Sequence, residues 1–188
     1  MSILELRSEA DRLSELEGLL AAHFDTFREV RIENGRIDLL GVPKIEELDV
    51  ALAFEVKRDG FDLERALKQS ADYVGARVLA GPHKGKRIAA CFLYPARKHQ
   101  HGNYADRYHE GMFQLIAQWR VGRAYAHNGG LWLAIGYETI WDSRGWHETV
   151  ATRMLLSNRQ VGGTRREFNR VRLDIKPILP RPVFTRRV

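Results

Sequence analysis

Phe54-Glu55-Val56-Lys57-Arg58 closes the apolar run Leu48-Asp49-Val50-Ala51-Leu52-Ala53-Phe54, with Glu46-Glu47 before it and Asp59-Gly60 after it. A short run rich in Val, Leu and Phe, bounded by charge and glycine, reads as a buried strand. Side chains alternate along a strand, so residues two apart share a face. Glu55 and Lys57 therefore point the same way, while Val56 enters the opposite layer. A carboxylate and an ammonium at the end of an apolar strand have two readings. One is an ion pair at a strand end; the other is a site for a metal ion and a water. The flanking elements decide between them.

Upstream, Leu13, Leu16, Leu20, Phe24 and Phe27 recur at spacings of three and four. This predicts one or two amphipathic helices over residues 3–28. Ser8 is the expected N-cap, with Asp11 three residues later. Glu17 falls on the apolar stripe, where a carboxylate needs a partner or a solvated cleft. Residues 30–33 alternate as a strand, Asn34-Gly35 signals a hairpin, and residues 36–40 return. Gly41-Val42-Pro43 is expected to break that strand. Asp38 is enclosed by Ile37, Leu39 and Leu40, an unfavourable place for an aspartate without a specific reason.

Downstream, residues 62–74 predict a helix capped by Asp62, burying Leu63, Ala66, Leu67, Ser70, Tyr73 and Val74. Gln69 and Tyr73 lie one helical turn apart. A loop at 81–85 leads to a nearly all-apolar strand at 87–94, as expected for a strand covered on both faces. A helix followed by a buried strand implies a crossover and an α/β element. Residues 104–125 read as a helix, Asn128-Gly129-Gly130 as a turn, and residues 131–137 and 139–141 as strands. A helix at 149–156 and a strand at 171–175 are expected beyond them.

At 188 residues and 44% hydrophobic, the chain suits one compact domain with a substantial core. No run of 18 apolar residues suggests a membrane span. The charged beginning, Met1-Ser2-Ile3-Leu4-Glu5-Leu6-Arg7, does not read as a signal peptide. The single cysteine, Cys91, sits in an apolar run as a core residue, which fits a cytoplasmic location. The net charge is +6 but unevenly spread. Residues 1–59 carry eight Lys/Arg against fourteen Asp/Glu, and residues 144–188 carry eleven against three. Ten of those eleven cations are arginine, whose planar fork suits phosphate, so a polyanion is the expected partner.

In chain order these are a helical Glu17, a strand Asp38, the Glu55-Val56-Lys57 strand sixteen residues later, and a helix carrying Gln69 and Tyr73. The series resembles the PD-(D/E)xK nuclease superfamily in its RecB-like branch, over about residues 13–94. Ile37 stands where the superfamily's proline would precede the aspartate. The resemblance implies an α/β fold. A mixed central β-sheet flanked by helices would form a restriction-endonuclease-like core over residues 1–94. A C-terminal α+β extension over 95–188 would complete the sheet and carry a basic surface.

It further implies a metal-dependent deoxyribonuclease, with endonuclease the expected mode. Asp38, Glu55 and the Val56 carbonyl would hold Mg²⁺ or Mn²⁺, hard cations that take oxygen ligands. Lys57 would orient the attacking water and offset transition-state charge. Glu17 would serve a second metal or an outer shell, and Gln69 would hydrogen-bond the water or a metal-bound water, or contact phosphate. Tyr73, Arg58, Arg97, Lys98, Arg159, Arg165, Arg166 and Arg170 are the expected DNA contacts, and a homodimer would suit cutting both strands. A non-catalytic nucleic-acid-binding module on the same fold is the alternative. His99, His101, His109 and His127 lack the spacing of a zinc site and read as part of a basic surface.

Overall fold

Residues 7–44, 50–58, 60–96 and 111–147 are described in the computed structural model. Their order is α1 (Glu9–Leu20), β1 (Phe24–Ile32), β2 (Gly35–Pro43), β3 (Ala51–Val56), α2 (Leu63–Tyr73) and β4 (Ile88–Tyr94). A helical segment at 111–116 and a 3-10 turn, Ala117–Trp119, lead into β5 (Val121–His127). β6 (Gly130–Ile135), β7 (Glu138–Asp142) and β8 (Gly145–Trp146) follow. Among the described residues the strands form one mixed eight-stranded sheet in chain order. β1, β2 and β3 are an antiparallel meander. β3 and β4 are parallel, as are β4 and β5. β5 to β8 run antiparallel and continue the same sheet.

The local chemistry accounts for these elements. At α1, Ser8 Oγ accepts from the Asp11 N–H and the Asp11 carboxylate accepts from the Ser8 N–H, both at 3.1 Å. This reciprocal box satisfies two donors that a helix start would otherwise leave open. α2 begins at Asp62, whose Oδ1 accepts from Arg65 N at 3.1 Å, and the six residues expected on its buried face are all buried. The crossover through α2 is what allows β3 and β4 to lie parallel. Ala51 and Ala53 face α2, together with Leu67, Cys91 and Leu93. Leu52, Phe54 and Val56 face α1, together with Leu16, Leu20 and Phe92. β3 is thus buried on both sides, which explains its unbroken apolar run.

Three expectations are corrected. Phe24 and Phe27, placed on a helical stripe, belong to β1. Thr26, Val30 and Ile32 lie in the same strand, and such β-branched residues favour the pleated surface. β2 does not break at Gly41 but runs through Pro43, which pairs with Phe24 at the strand end. There a missing N–H costs least. A Cβ on Gly41 would come within 2.9 Å of the Phe54 ring, so the glycine makes room for that ring. The long helix expected over 104–125 ends early. Arg120 takes a left-handed conformation, φ 58°, and Val121 and Tyr125 fall in β5. Gly122 is needed in that strand, because a Cβ would meet the Ala134 carbonyl oxygen at 2.3 Å.

The elements expected at 149–156 and 171–175 lie outside the described residues. Among the described residues no helix is long and apolar enough to cross a membrane.

Candidate active site at the end of β3

The β2–β3 ladder pairs Leu39 with Phe54 and Leu40 with Ala53. One step further along the same register, Asp38 stands opposite Glu55. Residues directly opposed in an antiparallel pair hold their Cβ atoms about 4.5–5.5 Å apart. At this point the main-chain ladder stops and a side chain takes over: Asp38 Oδ2 accepts from the Val56 N–H at 2.8 Å. That bond is the reason an aspartate is tolerated inside β2. The Val56 side chain enters the α1-side core.

Lys57 follows β3 and turns back along the face of Glu55, as strand alternation predicts. Its Nζ lies 2.5 Å from Glu55 Oε1 and 3.3 Å from Gln69 Oε1. Gln69 comes from α2. Its Nε2 donates to Tyr73 Oη at 2.5 Å, and the Tyr73 hydroxyl donates to the Arg36 carbonyl at 3.0 Å. Side chains from two elements, Glu55 and Lys57 at the end of β3 and Gln69 and Tyr73 on α2, therefore form one connected chain on the α2 side of the sheet.

The electrostatics of this end are unusual. Glu55 is 2% exposed, and its Oε2 has no hydrogen-bond partner among the described residues. Burial first, and the neighbouring Asp38 charge second, push its carboxyl up to about 7, against the pull of Lys57. Burial likewise raises Asp38, opposed by the Val56 N–H and Lys57. Two carboxylates sharing a desolvated site disfavour the doubly ionised state, even with Lys57 beside them. Cys91 lies below them in the core, its thiol pushed up by burial and by Glu55, so it offers no thiolate.

Not every expected residue reaches this group. Glu17 is engaged elsewhere: Arg28 of β1 donates to its carboxylate through both Nε (2.9 Å) and Nη2. Tyr73 is 4% exposed with its hydroxyl occupied by protein groups, so its place is in the core rather than on a DNA-facing surface. Arg58 is exposed, and its N–H donates to Glu9 Oε1 at 3.3 Å. Arg97, Lys98, Arg159, Arg165, Arg166 and Arg170 lie outside the described residues.

Two residues of α1 that sequence reading passed over do arrive. Glu9 adds the smallest of the effects on Asp38 and Glu55, behind burial and, for Asp38, behind Glu29 of β1. Arg12, 7% exposed, donates to the Lys57 carbonyl at 2.6 Å. Arg12 could have been found, since it continues the buried row Leu16 and Leu20 at a spacing of four. Glu9 resembles an ordinary first-turn carboxylate and gave no such signal.

Among the described residues no group of three or more His, Cys, Asp or Glu side chains gathers to hold a metal ion. Asp38 and Glu55 are a two-carboxylate donor set. That suits Mg²⁺, which keeps several waters and is held through one or two carboxylates plus a substrate phosphate. The unpartnered Glu55 oxygen fits the same group.

No protein-family model, curated protein or solved structure matches this chain.

Proposed function

We propose that this chain is a divalent-metal-dependent nuclease of the PD-(D/E)xK type, acting on DNA through the end of β3. The observation that carries the reading is the convergence of Asp38, Glu55 and Lys57, with one Glu55 oxygen left open. The order α1, three-strand meander, α2 and a parallel β4 supports a restriction-endonuclease-like core. Asp38 and Glu55 would hold the cation. When bound, it would acidify a water and neutralise charge on the scissile phosphate.

The chain's own residues do the rest. The Val56 N–H fixes Asp38, so one carboxylate is already oriented. The Lys57 ammonium is held at the same place by Glu55 and Gln69, where it offsets negative charge gathering on a phosphate under attack. Arg12 anchors the Lys57 carbonyl from behind and limits how far the strand end can move. Burial of Glu55 keeps bulk water from screening these charges.

Linear, circular, branched and single-stranded DNA incubated with Mg²⁺, with Mn²⁺ and with EDTA tests the proposal. Cleavage that needs the metal and disappears in D38N and K57M supports it. Undiminished cleavage in either variant contradicts it, as does the absence of cleavage across the whole panel.

A further inference from the structure

The hydrogen bonds around Gln69 have a direction. A backbone carbonyl only accepts, so the single hydroxyl proton of Tyr73 goes to Arg36 O, 3.0 Å away. The Tyr73 oxygen can then only accept, and it does so from Gln69 Nε2. That choice turns the other end of the amide, Oε1, toward Lys57 Nζ at 3.3 Å. An ammonium has three donors and no acceptor, so an amide turned the other way would set N–H groups against N–H groups. Tyr73 and Gln69 are one turn apart on α2, and Tyr73 is packed in the core with Leu67 and Cys91, which fixes the whole row.

We propose that Tyr73 is a positioning residue: through the Gln69 amide it transmits the polarity of the Arg36 carbonyl to Lys57, so that Lys57 meets an acceptor and is held against Glu55. The proposal rests on Lys57 being the working lysine of the nuclease read above, but its structural half does not. It also assigns the Gln69–Tyr73 pair a role that needs no contact with substrate.

Two measurements test it. The first uses metal-free protein and thermal unfolding. Y73F and K57M replace residues whose hydrogen bonds, among the described residues, meet at the Gln69 amide, and both remove a bias toward the same amide orientation. Their combined loss of Tm should fall short of the sum of the single losses by about 2 °C or more. In a Q69M background, which removes both ends of the amide at similar volume, that shortfall should vanish. Additive losses in the Gln69 background would overturn the proposal, as would an equal shortfall with Met at 69.

The second measurement is cleavage kinetics. Y73F should lower kcat about tenfold, the equivalent of one net hydrogen bond, with KM within about twofold. In a Q69E background, where the side chain offers oxygen at both ends, the same substitution should change kcat by less than about twofold. An equal loss in both backgrounds, or a change carried by KM, would overturn the proposal. Should the wild-type protein cleave nothing, the nuclease reading falls while the unfolding cycle still decides the relay.

Discussion

Glu55 at the tip of β3 and Asp142 at the end of β7 are both 2% exposed, yet they are opposite kinds of carboxylate. Asp142 Oδ1 accepts from the Arg144 backbone N–H at 2.7 Å, and its Oδ2 accepts from Arg144 Nη2 at 3.0 Å, with His147 Nε2 at 2.8 Å. Arg144 first, then the other donors, hold it well below the usual carboxylate range. Glu55 has one partner of note, Lys57, an unpartnered oxygen, and a second carboxylate opposite. Equal solvent exposure therefore does not mean equal cost. Asp142 closes a local turn and is satisfied by it. Glu55 has fewer partners than its burial calls for, so the protein disfavours its charged form, and groups perturbed in this way cluster at functional sites.

A pair of neutral isosteres in metal-free protein at pH 8 should separate the two carboxylates most widely. E55Q removes an ill-solvated charge and should raise stability by about 1–3 kcal/mol. D142N removes satisfied hydrogen bonds and should cost about 1–2 kcal/mol. At this chain length that is a Tm gain of roughly 2–12 °C against a loss of roughly 2–8 °C. Two shifts of the same sign in thermal unfolding would end the distinction.

The pH dependence sharpens it further. The folded-state value of Glu55, about 7, lies above its ordinary 4.5. Between those values the native protein holds a proton that the unfolded chain has released, so stability declines as pH rises from 4.5 to 7. The full effect is on the order of 3 kcal/mol at most. Asp38, also raised, acts with the same sign from its ordinary 3.8 upward. Asp142 does the reverse: its contribution is complete above 3.8 and is lost as pH falls below that. Metal-free Tm should therefore fall between pH 4.5 and 7, and E55Q should flatten that slope. An unchanged slope in E55Q would place the titration elsewhere.

The smallest expected effect separates two carboxylates of α1. Glu9 acts on the Asp38–Glu55 pair, whereas Glu17 is neutralised by Arg28. E9Q should change cleavage about threefold, within the range of an exposed charge, and E17Q less than that. The reverse order in kcat/KM would restore Glu17 to the site.

Much of the β3 region was legible in the sequence because its signals are local. Alternation put Glu55 and Lys57 on one face, the i, i+4 spacing stacked Gln69 on Tyr73, and Asp62 announced the start of α2. The juxtaposition of Asp38 with Glu55 could be proposed, but it depended on register, which a tolerated aspartate inside β2 only hinted at. The misreadings came where two periods fit one stretch. Leu16, Leu20, Phe24 and Phe27 keep helical spacing across a real boundary, because Ala21-Ala22-His23 carries no strong breaker. Val121 and Tyr125 extended a helical stripe until the left-handed Arg120 ended it, and arginine is not a residue that advertises that conformation. Arg12 and Glu9 were missed because their partners are a backbone carbonyl and a distant charge.

Titrating Mn²⁺ into the metal-free protein at pH 8, with the free ion followed by electron paramagnetic resonance, asks whether Asp38 and Glu55 form a place for a divalent cation. Saturable binding is expected of the wild type and of D142N, and its loss in both D38N and E55Q. Binding that survives those two substitutions, or a wild-type protein that binds no Mn²⁺, would contradict a cation site there.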